Sequence, residues 1–208
     1  MPKKIGLLAD SHSELEALEA AVRILLGRGA DRLFHLGDIC DSLRLDLLED
    51  SIRLLRKYGI LAVKGNNDFL LENLLLGQPP EMAPGTDRLL AFLRGLPMKI
   101  EWGGMCFAHS LPFDFLRAFY EPIDIGSPHR AREVFSLTSF RILFCGHSHQ
   151  PVLFRQSGEA VERLPIPSDR SLQLDPGKRY IVVTGAVVEG ECSLFDLEQW
   201  RLERLRIP

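Results

Sequence analysis

The sequence predicts an α/β fold in which a parallel sheet carries helices on its faces and a second sheet packs against the first. Three observations predict it. Short apolar runs alternate with helix-period segments in βαβαβ order at the start of the chain. Clusters of potential metal ligands headed by Asp10, Asp38 and Asn66 recur every 28 residues, close to the ~30 residues of a strand–helix–strand unit. From residue 98 onward the texture turns strand-rich.

The segment 5–9 is a short apolar run ending at Asp10, as a buried parallel strand reads. Ser13 is expected to cap the helix that follows, with Glu14 and Glu16 in its first turn. Leu15, Leu18, Val22, Leu25 and Leu26 keep a helical period until Gly27 and Gly29 end it. A second strand over 32–36 closes on Gly37-Asp38. An amphipathic helix over 43–58 turns Leu47, Leu48, Ile52, Leu54 and Leu55 inward and stops at Gly59. A third strand over 60–63 closes on Gly65-Asn66. Residues 78–85, rich in proline, read as a loop, and 86–93 as a short helix. Lys99–Trp102 and Met105–Ala108, joined by Gly103-Gly104, form a hairpin that delivers His109. The segment 110–132 has aromatics, prolines and mixed charge without a period, and reads as a functional loop or lid bearing short helices. A strand over 141–145 delivers Gly146-His147-Ser148-His149. The runs 152–154, 160–164, 180–184, 192–197 and 201–206 are strands expected to build the second sheet.

Composition bounds the function. The chain has 208 residues, 46% hydrophobic, with net charge −3. That length suits one well-packed domain over 1–208, with 110–140 as a substrate-facing insertion. The charge gives no basic footprint for nucleic acid. Cys106, Cys145 and Cys192 lie in apolar strand-like runs, Cys40 lies inside a ligand cluster, and none forms a CxxC pair. They read as buried free thiols in a reducing compartment. The segment 5–9 is too short for a signal peptide, and no stretch approaches the ~20 apolar residues that span a bilayer. A cytoplasmic protein is the expectation, with no membrane partner; the oligomeric state is left open.

The chemistry lies in five clusters: Asp10-Ser11-His12, Gly37-Asp38-Ile39-Cys40-Asp41, Gly65-Asn66-Asn67-Asp68, His109, and Gly146-His147-Ser148-His149. Carboxylate, imidazole and amide oxygen together suit manganese, iron, zinc or cobalt better than magnesium or calcium. The glycines allow sharp turns and close backbone approach to ions. Each cluster alone is a weak signal, and a histidine beside an apolar run is ordinarily structural, which is how His35 reads. Five in this order, at predicted strand ends, carry the argument.

Asp-x-His, Gly-Asp-x-x-Asp, Gly-Asn-x-Asp, a single His and Gly-His-x-His together resemble the calcineurin-like metallophosphoesterase superfamily, and its small bacterial and archaeal phosphodiesterases in particular. The resemblance implies a four-layer α/β/β/α sandwich of two mixed sheets, with two divalent transition-metal ions at the carboxyl ends of the strands: manganese first, with iron, zinc, nickel or cobalt as alternatives. It implies that Asp10, His12 and His149 hold one ion, Asn66, His109 and His147 the other, and that Asp38 bridges them. It further implies a hydroxide between the ions that attacks phosphorus in line. Where many members carry a histidine after the metal-binding Asn, this chain has Asn67. An amide donates a hydrogen bond but is no general acid near pH 7. Asp41, whose counterpart orients that histidine, is left to hold an amide or backbone groups. Catalysis is therefore assigned to Asp38, Asn67 and Asp41, acting on a small phosphate ester, with diesters bearing good leaving groups favoured over alkyl monoesters. Ser42 stands where protein phosphatases carry arginine, and Thr184-Gly185-Ala186 replaces an Asn-Pro-Gly-Ser-like turn, a change read as structural. His129, Arg117 and Arg130 are candidate substrate contacts, alongside Phe113, Asp114 and Arg132; His129 is also a candidate replacement acid. The alternatives are a nucleotide pyrophosphohydrolase or phosphomonoesterase on the same site, and a non-catalytic scaffold on the same fold.

Overall fold

The computed structural model describes residues 2–77, 86–168 and 170–208. The loop expected over 78–85 lies outside them. Strands β1 (Lys4–Leu8), β2 (Arg32–His35) and β3 (Leu61–Ala62) alternate with helices α1 (Leu15–Gly27) and α2 (Leu48–Lys57). Helices α3 (Asn66–Leu76) and α4 (Thr86–Gly95) follow, then β4 (Lys99–Trp102), β5 (Met105–Ala108), α5 (His129–Leu137) and β6 (Ile142–Cys145). The chain ends in β7 (Val152–Ser157), β8 (Ala160–Pro165), β9 (Leu172–Gln173), β10 (Arg179–Val183), β11 (Glu191–Asp196) and β12 (Arg201–Arg206).

The described strands form two six-stranded mixed sheets, β3-β2-β1-β11-β12-β9 and β4-β5-β6-β10-β7-β8. In the first, β1, β2 and β3 are parallel neighbours, so Asp10, Asp38 and Asn66 leave adjacent strands at one end, as the 28-residue spacing predicts. In the second, β5, β6 and β10 are parallel, so His109 and His147 also leave at one end. The hairpin pairs Lys99 with Ala108 and Trp102 with Met105, as read from the sequence.

Alternation along the strands sorts side chains between layers. Ile5, Leu7, Phe34 and Leu36 of the first sheet meet Phe107, Ile142, Phe144 and Val182 of the second in one buried cluster. Phe34 stacks on Phe107 at 3.8 Å with planes 4° apart. Leu8, Leu33 and Leu194 point the other way, against Leu18, Val22 and Leu25 of α1 and Ile52 and Leu55 of α2. On the outer face of the second sheet, Cys106, Leu143 and Ile181 pack under Ala131, Val134 and Phe135 of α5. The result is helices, sheet, sheet, helix: the four-layer sandwich.

Four expectations change. The tail strands do not form one second sheet: β9, β11 and β12 extend the first, with β11 antiparallel to β1, while β7, β8 and β10 join the second. A parallel β1 with β2 on one side only would leave an open edge; β11 covers it. Ser13 does not cap α1 with its side chain; it sits at φ 63, and its hydroxyl accepts the Asp41 N–H at 3.0 Å. The helix expected over 43–58 begins as a 3₁₀ turn, Leu45–Leu47, and only Leu48, Ser51, Ile52 and Leu55 of α2 are buried. Helix α3 begins where the third strand was expected only to close.

Candidate metal centre

The loops after the strands are stitched together before any side chain acts. Asp10 N–H donates to Gly37 O, His12 N–H to Asp38 O and Ser13 N–H to Ile39 O. Gly146 N–H donates to His109 O across the second sheet. The Thr184-Gly185-Ala186 turn also serves the backbone: Thr184 N–H reaches Cys145 O, and Val187 and Val188 N–H reach Ala9 O and Asp10 O.

Within these loops, Asp10 (φ 52), His12 (φ 44), Asp38 (φ 53), His147 (φ 71) and His149 (φ 56) all adopt left-handed backbone conformations. These are uncommon for residues other than glycine and collect at functional sites, where the surrounding structure holds them. Glycine is required beside them by space. A Cβ at Gly65 would stand 2.1 Å from Asp38 Oδ1, and one at Gly146 would stand 2.5 Å from Asp10 Oδ2.

The side chains converge in two groups. Asp10, His12 and His149 present ligand atoms within 4.8 Å of one another, and so do Asp10, Asp38 and His109. His12 Nε2 lies 3.7 Å from Asp38 Oδ2, His109 Nε2 lies 3.6 Å from Asp38 Oδ1, and His149 Nε2 lies 3.5 Å from Asp10 Oδ1. Asp10 Oδ1 is buried without a hydrogen bond, whereas Oδ2 accepts the His147 N–H at 3.0 Å. Asn66 completes a triangle: Asn66 Oδ1 to His109 Nε2 is 2.9 Å, Asn66 Oδ1 to His147 Nδ1 is 3.0 Å, and the two ring nitrogens are 3.1 Å apart. Mutually perpendicular ligands ~2.1 Å from one ion would stand ~3.0 Å apart. The triangle therefore matches one face of an octahedron.

The protons support the same reading. His109 Nδ1–H donates to Leu36 O at 2.9 Å, which turns the lone pair of Nε2 inward. His147 Nε2–H donates to Tyr120 O at 3.2 Å, which turns Nδ1 inward. Two nitrogen lone pairs and an amide oxygen then face one another, an arrangement that needs a proton or a cation among them. Burial alone would lower the His109 pKa, yet Asp38 and Asp10 raise it, a field that favours a metal ion in the same place. Burial, then His109, lowers His147. Contact with Asp10 raises His149 against burial. Burial would raise Asp10, but His149 and the neighbouring His109 bring it below the ordinary carboxylate value. His35, read as structural, sits fully buried beneath the cluster, with Nε2 2.9 Å from Ser11 Oγ; burial pushes it down to about 4, so it stays neutral. All four cysteines are free and buried, and burial pushes the Cys40 thiol well up, which leaves it protonated.

Asn67 and Asp41 each take a defined hydrogen-bond partner beside the cluster. Asn67 N–H and Nδ2 donate to the two oxygens of Asp38 at 2.8 and 2.7 Å, and Asn67 Oδ1 accepts from Ser42 Oγ at 3.3 Å. Asp41 Oδ1 accepts the Leu43 N–H at 2.8 Å, so it holds backbone rather than Asn67. Asp68 belongs to the third ligand cluster in the sequence but has no role assigned there; the structure gives it one. Its buried carboxylate accepts N–H groups from Ile39 (3.1 Å), Cys40 (3.1 Å) and Gly65 (2.9 Å), locking the Asp38 loop to the Asn66 turn. Burial and the Asp38 charge raise Asp68 to about 6. The signal was in the sequence: an acid three residues after a turn glycine is the N3 half of a capping box.

The proposed substrate contacts are engaged elsewhere. His129 is largely exposed on α5 and faces Glu133 at 3.5 Å. Arg117 and Arg130 both pair with Glu121. The insertion touches the metal cluster through the Tyr120 carbonyl instead.

A model of the calcineurin-like phosphoesterase superfamily domain matches residues 4–188. The chain belongs to this superfamily. Metal-dependent phosphoester hydrolysis is therefore its family chemistry, and the clustered Asp and His side chains are donors suited to it. Among curated proteins, the chain is 25% identical over 224 residues to an uncharacterized protein of Methanocaldococcus jannaschii, covering 98% of this chain and 86% of that one. Among solved structures, it resembles a metallophosphoesterase from Sphaerobacter thermophilus (TM-score 0.76, 23% identity, 100% of this chain and 89% of that one). It also resembles a hypothetical protein from Pyrococcus horikoshii (TM-score 0.62, 15% identity, 98% and 87%) and an archaeal phosphodiesterase (TM-score 0.53, 14% identity, 98% and 99%). At these identities the structural neighbours speak for the phosphoesterase fold. Among the described residues, no helix is long and apolar enough to cross a membrane.

Proposed function

We propose that this phosphoesterase is a phosphodiesterase that works with two divalent transition-metal ions, manganese first among them. The observation that supports it best is the convergence of seven donor side chains, from both sheets, on one end of the sandwich. Asp10, His12 and His149 would hold one ion, Asn66, His109 and His147 the other, with Asp38 between them. When bound, the ions would lower the pKa of a shared water from ~15.7 toward ~7 and offset charge on the phosphoryl oxygens.

The residues around them define what the chain itself contributes. Leu36 O and Tyr120 O fix the two imidazole tautomers. Asn67 clamps both oxygens of Asp38 and has one further amide hydrogen to offer a phosphoryl oxygen. Asp41 is committed to backbone. The side chains in hydrogen-bond contact with Asn67 are the Asp38 carboxylate, which would hold the ions, and the Ser42 hydroxyl, which is no acid near pH 7, so neither is placed to protonate a departing alkoxide. General acid catalysis contributes ~10²–10⁴-fold, so its lack steers the reading to diesters with good leaving groups. The test is hydrolysis of bis(p-nitrophenyl) phosphate with manganese, nickel, cobalt and zinc. Activity is expected with at least one of these metals and is expected to vanish in Asp38→Ala; unchanged turnover in that variant would overturn the two-metal mechanism.

A further inference from the structure

A polar cavity of about 490 Å³ is lined in part by His149, one of the candidate ligands of the metal centre. Both sheets build its walls: Arg163 comes from β8, Arg204 and Arg206 from β12, and Ser148 from the loop after β6. Pro151 is the one apolar residue among those lining it. Its volume falls in the range of small-molecule sites, so a substituent on a phosphate ester held beside His149 has room to extend into it.

The guanidinium groups are fixed in place and only partly used. Glu191, almost fully buried, holds Arg204 with both oxygens and Arg206 Nη1 at 2.6 Å. Arg204 also donates to Ile166 O, which commits it to structure. Arg163 donates Nε and Nη2 to Asp124 at 2.9 and 2.6 Å, which leaves Nη1 for a ligand. The Arg206 side chain is 60% exposed, with Nε and Nη2 outside its contact to Glu191. The Ser148 hydroxyl is sheltered without a hydrogen bond. Two oriented guanidinium groups match a phosphate group, which carries about −1.5 to −2 charge at pH 7 and offers three acceptor oxygens. Glu189, exposed at the same cavity, supplies an acceptor for sugar hydroxyls.

We propose that this cavity is a substrate subsite for a second phosphate, so that the preferred phosphodiesters carry a further phosphate on a sugar hydroxyl, 5′-esters of nucleoside 3′,5′-bisphosphates among them, with Arg206 and Arg163 recognising the distal phosphate. This rests on the phosphodiesterase reading for the phosphate that reacts. The experiment measures binding of thymidine 3′,5′-bisphosphate and thymidine 5′-phosphate to the manganese-loaded protein by calorimetry. Hydrolysis of the p-nitrophenyl 5′-esters of both is measured alongside. The 3′-phosphate is expected to tighten binding roughly tenfold, the scale of one charge-assisted contact. In Arg206→Gln with Arg163→Gln, that advantage is expected to fall to about twofold or less. Equal affinities in the wild type, or an advantage that survives the double substitution, would overturn the subsite. Arginine-dependent preference without any hydrolysis would support the subsite and remove the phosphodiesterase reading; hydrolysis of both esters with equal affinities would do the reverse.

Discussion

Asn67 stands where many members of the superfamily carry histidine, and its contacts suggest what the amide does instead. Its backbone N–H and its Nδ2 grip the two oxygens of Asp38 from one side, while Ser42 holds the amide oxygen. Asp38 sits at φ 53, a backbone state that needs outside support. Partners of ligating carboxylates that do not touch the ion typically contribute 10–100-fold to metal affinity. Asn67→Ala keeps the backbone donor and loses the amide. It is therefore expected to bind manganese ~10–100-fold more weakly in chelator competition, with the fold intact by circular dichroism. Unchanged affinity would mean that the backbone N–H alone orients Asp38. Asn67, Ser42 and Asp68 show where sequence reading stops at this scale. The ligand types and their order were legible, because each lies at the end of an apolar run. Which hydrogen-bond partner each motif residue takes was not, because Asp41, Ser42 and Asp68 are all short polar groups within reach of the same turn.

At the scale of elements, strands β1, β2, β4, β5 and β6 were legible because each is a short apolar run with a turn signal at its end. Helix α3 was not. Phe69, Leu70, Leu71, Leu74, Leu75 and Leu76 surround its axis, so no single face gives a period, and Leu70, Leu74 and Leu76 remain exposed. The division of the tail was hidden for a different reason. Strands β10 and β11 are both buried along nearly their full length, so neither pattern says which sheet it joins, and pairing is a long-range choice. The contact between α1 and the end of α2 gives a prediction of its own. Glu19 accepts from Lys57 Nζ at 2.8 Å and Tyr58 Oη at 2.9 Å, and pairs with Arg23. Lys57 first, then Tyr58, lowers its pKa from 4.5 to about 2. A carboxyl that is more acidic folded than unfolded stabilises the fold above its unfolded pKa, and loses that contribution as pH falls through the folded one. Glu19→Gln should therefore lower the urea midpoint at pH 7. The gap to wild type should shrink between pH 4.5 and 2. A gap that stayed constant over that interval would show that the carboxylate charge is not what joins the helices.

The whole molecule is two sheets whose interior faces are closed by the Phe34–Phe107 stack and whose ligand ends are closed by charged loops. Asp10, Asp38 and Asn66 follow strands of the first sheet, whereas His109, His147 and His149 follow strands of the second. The two sheets already meet at that end through backbone and side-chain contacts: His147 N–H to Asp10, His109 Nδ1–H to Leu36 O, Val187 and Val188 N–H to Ala9 and Asp10 O, and the close approaches of His109 and His147 to Asn66. An ion held from both sides would act as a staple between the layers, and anything that binds only the folded state stabilises it by mass action. Manganese at ~100 times its dissociation constant should therefore add ~2.7 kcal/mol, read as an increase in the urea midpoint at constant slope. A chelator should reverse it. Asp38→Asn removes the carboxylate charge between the two donor groups while keeping a hydrogen-bonding side chain, and the manganese increment should shrink in it far more than in a surface control such as Lys178→Gln. If metal raised the midpoint equally in Asp38→Asn, the stabilising ion would be bound elsewhere, and the seven converging donors would hold the two sheets together without its help.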